Sequence, residues 1–360
     1  MRVLFTIQGE GRGHMTQALA VQQILSRSGH ELVGVVIGRH GDQALPAYVT
    51  QAFPVPVTAP ASPGFATWNG RGVNMTLTAW RALAGLAVWR TSLQALRDLV
   101  QETRPDLIIN FFEPLTGMQQ MVRPLAVPVL SIAHQHMIGH PAHRAPWAAR
   151  ADQYGLRIFS ELTGWGSWKL ALSLYPAADR PEHRTQVGPP LLRRELFALT
   201  PTQGAYYLVY LVNHGYHEEI RTWQRAHPNV ALHCFYDRPG APEVEEAAPN
   251  LTFHRLDGRK FLQCMAGCRA LASTAGFESI GEAAWLGKPM YLVPVEHHAE
   301  QQWNARDATQ AGLAITDRKF DFDRLESIRE RPDPSRFREW VLTAEGALER
   351  AMQAALRSPA

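Results

Sequence analysis

The sequence has few cysteines and no long apolar run. Its three cysteines are too few for a disulfide framework and are predicted to be buried thiols: Cys234, Cys264 and Cys268. No apolar run approaches the roughly 20 residues that a transmembrane helix needs. The N-terminus starts with a short predicted strand, without the apolar region and small-residue cleavage site of a signal peptide. We therefore expect a protein of the cytoplasm.

Acidic side chains are missing between Gln43 and Arg97. Arginines and aromatic residues alternate in this stretch instead: Arg71, Arg81, Arg90 and Arg97 with Phe65, Trp68, Trp80 and Trp89. Residues 1–187 hold 16 basic and 11 acidic side chains, a balance of +5, whereas the rest of the chain holds 20 and 22, a balance of −2. Such a surface suits an amphipathic acceptor or peripheral contact with the inner face of a membrane. Alternatively, the tryptophans pack into the core and the arginine stems lie over them.

Alternating strand and helix patterns predict an α/β protein, and 360 residues are enough for two domains. Gly188-Pro189-Pro190 is typical of a stiff, exposed linker between domains. We therefore predict an N-terminal Rossmann-like domain at residues 1–187 and a C-terminal Rossmann-like domain at residues 188–335. A last helix is predicted at residues 336–360, with Ser335 as its cap.

The first strand leads into a glycine loop that ends in Gly13-His14 and opens a helix. Glycines allow the backbone to pass close to a ligand. The loop is a poor dinucleotide fingerprint, because His14 stands at the third glycine position and the next strand ends in Gly38-Arg39 rather than in an acid. An NAD site is therefore not expected.

The most informative stretch runs from Leu271 to Ala305 and reads as strand, turn, helix, strand and polar loop. A glycine turn before a helix leaves backbone N–H groups and the positive end of the helix dipole open to a phosphate group. Glu282 lies one turn further along this helix, where a carboxylate could accept hydrogen bonds from a ribose diol. The loop after the second strand holds polar side chains suited to sugar hydroxyls.

This stretch resembles the donor-binding motif of inverting nucleotide-sugar glycosyltransferases with the GT-B architecture, a superfamily that includes UDP-glycosyltransferases and the peptidoglycan N-acetylglucosaminyltransferases. The matching residues stand in the family's order: Gly276-Phe277, Ser279, Glu282, Gly287-Lys288-Pro289, Glu300-Gln301 and Asn304-Ala305. The Gly-His loop and the Gly-Pro-Pro segment are similar to the first loop and the hinge of these enzymes. Two positions depart from the family's pattern, since Thr274 replaces a phosphate-binding histidine and Glu300 replaces a sugar-contacting aspartate.

The resemblance implies an acceptor-binding N-terminal domain and a donor-binding C-terminal domain that face each other across a cleft, with the last helix packed on the N-terminal domain. It implies a UDP-sugar as the most expected co-substrate, no cofactor, no metal and no nucleic acid. The implied donor-binding residues are Gly13, Asn213, His214, Gly215, Arg255, Leu256, Thr274, Ala275, Gly276, Phe277, Ser279, Glu282, His298, Glu300 and Gln301. Lys288, in the Gly-x-Pro turn, is expected to face solvent.

His14 is the first candidate for the general base, because a helix N-terminus lowers the pKa of an imidazole and keeps it neutral. Glu113 follows a predicted core strand and could orient His14 as the carboxylate of a dyad. The implied acceptor-binding residues are Trp68, His134 and His136. His134, His136, His140 and His143 could alternatively bind zinc, but substrate contact is favoured because no local thiolate or carboxylate joins them.

The predicted activity is transfer of a sugar from a nucleoside-diphosphate sugar to a hydroxyl acceptor, which could be a lipid or another amphipathic molecule. Two alternatives share the architecture: a nucleotide-sugar 2-epimerase or hydrolase, and a non-catalytic protein that binds sugar nucleotides. An epimerase would need no amphipathic acceptor surface, and a sensor would tolerate loss of His14.

Overall fold

The structure is a computed structural model. It describes residues 1–10, 12–40, 45, 47–64, 67–68, 72–73, 86–143, 150–211, 217–236, 241–295, 298–321, 323–327 and 332–358. Contacts divide the chain into two units, one formed by Met1–Arg193 together with Trp340–Ala360 and the other by Arg194–Glu339. Within the described ranges no helix has the length and apolarity needed to cross a bilayer.

The first unit is built on a seven-stranded parallel sheet in the order β3-β2-β1-β6-β7-β8-β9. Its strands are β1 (Arg2–Gln8), β2 (Glu31–Gly38), β3 (Val57–Thr58), β6 (Leu107–Phe111), β7 (Val129–Ala133), β8 (Trp168–Leu172) and β9 (Thr185–Gly188). A separate hairpin pairs β4 (Thr67–Trp68) with β5 (Gly72–Val73). Strands β6 and β7 are buried along their whole length, as expected for the middle of a parallel sheet covered by helices on both faces.

In the described part of this unit, five α-helices lie between its strands in sequence and a further α-helix follows the last strand. They are α1 (Gly13–Arg27), α2 (Ala47–Thr50), α3 (Leu86–Thr103), α4 (Pro114–Val122), α5 (Arg150–Thr163) and the C-terminal α13 (Ala344–Arg357). Helix α13 packs on β7, β8 and β9, and Gln186 donates a hydrogen bond of 2.8 Å to the carbonyl of Ala347. The predicted last helix is interrupted, because Leu342 and Thr343 separate α13 from α12 (Ser335–Val341).

The second unit holds a sheet in the order β12-β13-β11-β10-β14-β15-β16, parallel except for the edge strand β12. Its strands are β10 (Tyr206–Leu211), β11 (Ala231–Tyr236), β12 (Val244–Ala248), β13 (Leu251–Arg255), β14 (Leu271–Ser273), β15 (Met290–Leu292) and β16 (Ala314–Thr316). Its helices, besides α12, are α6 (Arg194–Phe197), α7 (His217–Ala226), α8 (Gly258–Gly267), α9 (Phe277–Trp285), α10 (Ala299–Gln310) and α11 (Asp323–Ser327). The predicted α/β class is confirmed.

Two sequence-based expectations are wrong. Gly188, Pro189 and Pro190 are buried rather than exposed, and a side-chain carbon at Gly188 would lie 2.8 Å from Leu170. Lys288 is fully buried rather than in solvent, and its ammonium group donates to the carbonyls of Thr202 at 2.6 Å and Cys268 at 2.7 Å. A buried ammonium is tolerated where carbonyl oxygens replace water as its acceptors.

Candidate functional site

His14 is the second residue of helix α1 and is 8% exposed. Its imidazole stacks on the ring of Phe112, with centroids 5.3 Å apart and planes 24° apart. Burial lowers the pKa of His14 to about 4, against the opposing effect of a hydrogen bond with Gln17. Its Nδ1 atom is buried and has no hydrogen-bond partner among the described residues. His14 is therefore neutral at physiological pH, and one of its ring nitrogens is unpartnered among the described residues.

Phe112 follows the last residue of β6 with φ of 58°, in the left-handed region that bulky side chains rarely adopt. Its ring is 1% exposed and also contacts His136 and Phe159, with centroids at 5.9 and 5.5 Å. Such a conformation costs on the order of 1–3 kcal/mol and persists where the surrounding contacts determine it. Packing thus holds the Phe112 ring against the imidazole of His14.

Glu113 caps helix α4 and is fully buried. Its Oε1 atom accepts hydrogen bonds from the Ser62 hydroxyl and from the backbone N–H of Leu115, the latter at 3.0 Å. Burial raises the pKa of Glu113 to about 8, although hydrogen bonds from Ser62, Leu115 and Gly38 act in the opposite direction. Among the described residues no hydrogen bond joins Glu113 to His14, so the structure brings the predicted pair near Phe112 without forming the dyad contact.

The histidines after β7 bond to protein groups. Nδ1 of His134 donates to the carbonyl of Leu172 at 2.6 Å. The ring of His136 contacts two hydroxyls, Ser131 at 2.8 Å from Nε2 and Ser160 at 3.0 Å from Nδ1. Because the Ser160 hydroxyl donates to the carbonyl of Gln135, Nδ1 of His136 is the donor and Nε2 accepts from Ser131.

His140 is held in the same manner, with Nε2 2.9 Å from the carbonyl of Ala178 and Nδ1 accepting from the N–H of Ala142. Within the described ranges no three His, Cys, Asp or Glu side chains are gathered for a metal ion. The zinc alternative therefore finds no support in the arrangement of these four histidines.

The turn between β14 and α9 is the centre of the predicted donor site. Ala275 lies in the left-handed region with φ of 65°, and its carbonyl accepts a hydrogen bond of 3.0 Å from the side chain of Asn304. Helix α9 then begins at Phe277, after Gly276, without a side-chain cap on its first N–H groups. The hydroxyls of Ser273 and Thr274 are buried and have no hydrogen-bond partner in the described part of the chain. Two unpartnered hydroxyls thus directly precede, in sequence, an uncapped helix N-terminus of the kind that stabilises a phosphate group.

Glu282 lies further along α9 and is 2% exposed. The hydroxyl of Ser279, one turn earlier, donates to the carbonyl of Gly276 at 2.9 Å. Polar residues of the loop after β15 also bond locally: Oε1 of Gln301 accepts from the N–H of Val295 at 2.9 Å, and Nδ1 of His298 accepts from the N–H of Gln301 at 3.3 Å. The Gln301 contacts leave its side-chain amide N–H groups available to a ligand.

The remaining predicted site residues are partly outside the described ranges. Asn213, His214 and Gly215 lie outside them, and for Trp68 only the backbone, in β4, is described. Arg255 is the last residue of strand β13 and is exposed, and Leu256, which follows the strand, is half-buried. Glu300 is half-buried in the first turn of α10. Their contact with a donor stays a prediction.

Sequence reasoning missed Ser62, the interaction of Phe112 with His14, and the turn-holding role of Asn304. The contact of Ser62 with Glu113 and that of His14 with Phe112 join segments about 50 and 100 positions apart, and no local sequence pattern encodes such contacts. One local signal existed at Gly38, where a side-chain carbon would lie 2.0 Å from Oε2 of Glu113. A glycine at the end of a strand can thus mark the close approach of another group.

Two largely parallel sheets covered by helices, with a glycine turn that opens a helix N-terminus in the second, are the architecture expected of the GT-B fold, and the comparison with known proteins identifies the family. The sequence pattern of glycosyl transferase family 1 matches residues 1–331, and the chain belongs to that family. No curated protein matches the chain.

Several solved glycosyltransferases share the fold at low sequence identity. UGT89C1 of Arabidopsis thaliana, solved with UDP-L-rhamnose, is 15% identical, with a TM-score of 0.58 over 98% of this chain and 96% of that one. A UDP-glucosyltransferase of Polygonum tinctorium capable of glucosylating indoxyl is 13% identical, with a TM-score of 0.61 and 99% coverage of both chains. SnogD of Streptomyces nogalater is 17% identical, with a TM-score of 0.54 over 99% and 98%. At these identities the likeness shows the fold alone.

Proposed function

We propose that this glycosyltransferase transfers a sugar from a UDP-sugar to a hydroxyl group of an amphipathic acceptor, with inversion at the anomeric carbon. The proposal that a nucleotide sugar is the donor rests on the turn before α9. There the hydroxyls of Ser273 and Thr274 are buried without a partner among the described residues, and the helix N-terminus that follows has no side-chain cap. Buried polar atoms normally have partners, and a diphosphate would supply them. UDP as the nucleotide is supported by a structural neighbour, UGT89C1, which was solved with UDP-L-rhamnose bound.

The carboxylate of Glu282 is proposed to accept hydrogen bonds from the ribose, and Glu300 and Gln301 to contact the sugar. The half-buried Glu300 and the Gln301 amide stand in the first turn of α10. Hydrogen bonds to a carboxylate contribute about 1.5–3 kcal/mol each, so these side chains can set both affinity and sugar choice.

His14 is proposed to act as the general base. Its neutral imidazole accepts the proton of the acceptor hydroxyl while the hydroxyl oxygen forms a bond to the anomeric carbon. The bond between that carbon and the diphosphate oxygen breaks, and the nucleoside diphosphate leaves with the electron pair. The open N–H groups of α9 and the nearby hydroxyls stabilise the charge that develops on the diphosphate, without a need for a divalent cation.

Phe112 is proposed as a positioning residue for His14. A stacked aromatic face restricts rotation of the imidazole and keeps water from it, which preserves the neutral form. The acceptor is proposed to bind in the first unit, and contact with the inner face of a membrane remains a proposal based on the tryptophan and arginine content of residues 65–97.

A panel of UDP-, dTDP- and GDP-sugars tests the donor proposal by thermal shift. Products formed from lipid and small-molecule extracts with the best donor are then identified by mass spectrometry. Binding of a UDP-sugar and appearance of a glycosylated product support the proposal. Preference for another nucleotide contradicts the UDP assignment, and release of free sugar without any transferred product contradicts the transfer reaction.

The variants Glu300→Ala and Gln301→Ala separate sugar contacts from nucleotide contacts. If the proposal is correct, both variants bind the intact UDP-sugar more weakly and bind UDP as tightly as the wild type. Equal losses for the two ligands would assign these side chains to the nucleotide or to the stability of the loop, which Gln301 supports through Val295.

A further inference from the structure

A cavity of about 440 Å³ in the first unit is lined by His136 and His140 together with side chains that have no role in the sites described above. Four parts of the first unit form it: the turn after β7, from His136 to His140; helix α5; Lys169 of β8; and the stretch from Arg180 to Thr185 that leads into β9. Its volume is within the range of about 300–1,000 Å³ that is usual for small-molecule pockets. His136 lines the cavity and also contacts Phe112, so the cavity adjoins the row of rings that includes His14.

The lining is rich in cations. It contains four permanently cationic side chains and two carboxylates: Arg157, Lys169, Arg180 and Arg184, with Glu161 and Glu182. The ammonium of Lys169 lies 2.8 Å from Glu161, and Nε of Arg180 lies 3.0 Å from Glu182. Both carboxylates are therefore already paired, and four positive against two negative charges leave a formal balance of +2. Neither Arg157 nor Arg184 has an ion-pair partner among the described residues.

Two backbone features lie at these arginines: the Gly139 turn beside the guanidinium of Arg157, and the left-handed conformation of Arg184 itself. Gly139 has φ of 86°, and a side-chain carbon there would lie 3.6 Å from the guanidinium carbon of Arg157. That distance is an ordinary van der Waals contact, so the guanidinium of Arg157 lies directly beside the backbone of the turn. Arg184 has φ of 51° in a turn that is closed by hydrogen bonds between Arg180 and Thr185 at 2.8 and 3.0 Å. A non-glycine residue held in this region is a reason to look for a functional role.

We propose that this cavity binds the phosphate group of an anionic ligand through the guanidinium groups of Arg157 and Arg184. A guanidinium presents two parallel N–H donors that match phosphate oxygens, and a partly enclosed pocket strengthens such charge-assisted bonds. The carboxylates do not prevent this, because each is neutralised by its own cation.

The phosphate could belong to a soluble phosphomonoester or to a lipid headgroup. Three large, exposed side chains on and just after helix α5 favour a lipid headgroup as the source of the phosphate. They are Tyr154, Ile158 and Trp165, which are 63, 68 and 50% exposed. Aromatic and aliphatic side chains beside arginines are typical of surfaces that contact membranes. In both cases the guanidinium groups would bind a phosphate group, and the experiment below distinguishes a soluble phosphomonoester from a lipid headgroup.

The test uses the full chain with saturating UDP, so that phosphate cannot bind at the donor turn. Titration calorimetry at low salt measures binding of inorganic phosphate and of glycerol 3-phosphate. Sedimentation measures binding to phosphatidylcholine vesicles with and without phosphatidylglycerol. The double variant Arg157→Gln/Arg184→Gln is compared with the wild type and with Arg123→Gln, an exposed arginine of the same unit that does not line the cavity.

We expect each single substitution to weaken binding about tenfold, and the double variant to lose it, while Arg123→Gln binds as the wild type does. Loss of the soluble anions identifies a phosphomonoester site. Loss confined to the anionic vesicles identifies a headgroup site. Absence of binding in both assays, or equal binding by the double variant and the control, overturns the proposal. Because the substituted arginines are exposed, thermal unfolding is expected to stay unchanged, and this verifies that the variants fold.

Discussion

The two candidate sites are built in different ways. In the second unit, the donor turn, the helix behind it and the polar loop lie within 35 consecutive residues, and backbone N–H groups supply much of the chemistry. In the first unit, side chains from distant segments meet: His14 stacks on Phe112, and Ser62 donates to Glu113. In the second unit, backbone dipoles at the donor turn stabilise the charge of a ligand. In the first unit, the packed side chains exclude water and shift pKa values. Variants of the second unit should therefore affect ligand binding, and variants of the first unit should affect protonation.

The largest expected effect is that of His14→Ala. Transfer should fall by a factor on the order of 10²–10⁴, because a positioned general base is lost, while UDP-sugar affinity and the fold are retained. Single-turnover rates and calorimetric titration of the donor measure the two quantities. His30→Gln, in the turn that follows the C-terminal end of helix α1, serves as the control and should keep wild-type turnover.

The pH profile sharpens this prediction. With a pKa of about 4, His14 is neutral above that pH, so the acid limb of the transfer rate should lie well below the usual histidine value of 6.5. An acid limb near 6.5 would mean that His14 is exposed during turnover or is not the base. Wild-type turnover by His14→Ala would remove it from the reaction and make His134 the next residue to test.

A smaller effect is expected from Glu282→Ala in the second unit. Loss of one or two hydrogen bonds to a carboxylate, about 1.5–3 kcal/mol each, should weaken UDP affinity by at least about tenfold without a change in the pH dependence of transfer. Glu282→Gln, which keeps the volume and one acceptor, should show an intermediate affinity. Unchanged titration curves for both variants would disprove the ribose assignment.

Three residues show how far the sequence could predict the molecule: Glu282, Glu113 and Lys288. The position of Glu282 on a helix was predicted because the glycine turn, the helix and the strand that place it are consecutive, and the α/β class followed from the same alternation. The contacts of Glu113 could not be predicted, since they depend on where Ser62 and Gly38 lie in the folded sheet. Lys288 was expected in solvent because a turn lysine usually is, and only the tertiary structure provides the carbonyls of Thr202 and Cys268 that bury it.

Phe112→Ala should have a moderate effect on transfer, about tenfold, together with a rise in the pKa of His14. Removal of the ring leaves a space that water can enter, which lowers the cost of charging the imidazole. Nuclear magnetic resonance titration of the His14 ring and the acid limb of the rate profile should both shift to higher pH.

Phe159→Ala provides the matched control for Phe112→Ala. It removes a buried ring that touches Phe112, and no ring stacking joins it to His14 among the described contacts. Both variants should lose stability, by about 3–5 kcal/mol, but only Phe112→Ala should move the His14 titration. Identical titration curves for the two variants would reduce Phe112 to a packing residue.

The smallest effect on transfer is expected from Glu113→Gln, and it tests whether a charged dyad exists. With a pKa of about 8, Glu113 is mostly protonated near neutral pH, and a glutamine reproduces the shape of the neutral acid.

Between the reference pKa of 4.5 and a pKa of about 8, the folded protein holds a proton on Glu113 that the unfolded chain releases. The free energy of unfolding should therefore fall as pH rises through this range. Glutamine does not ionise, and the variant should therefore lose this slope in urea unfolding series between about pH 5 and about pH 8 while turnover stays within about twofold of the wild type. A loss of transfer as large as that of His14→Ala would instead show that a Glu113 carboxylate orients the imidazole during the reaction, despite its partners Ser62 and Leu115 in this structure.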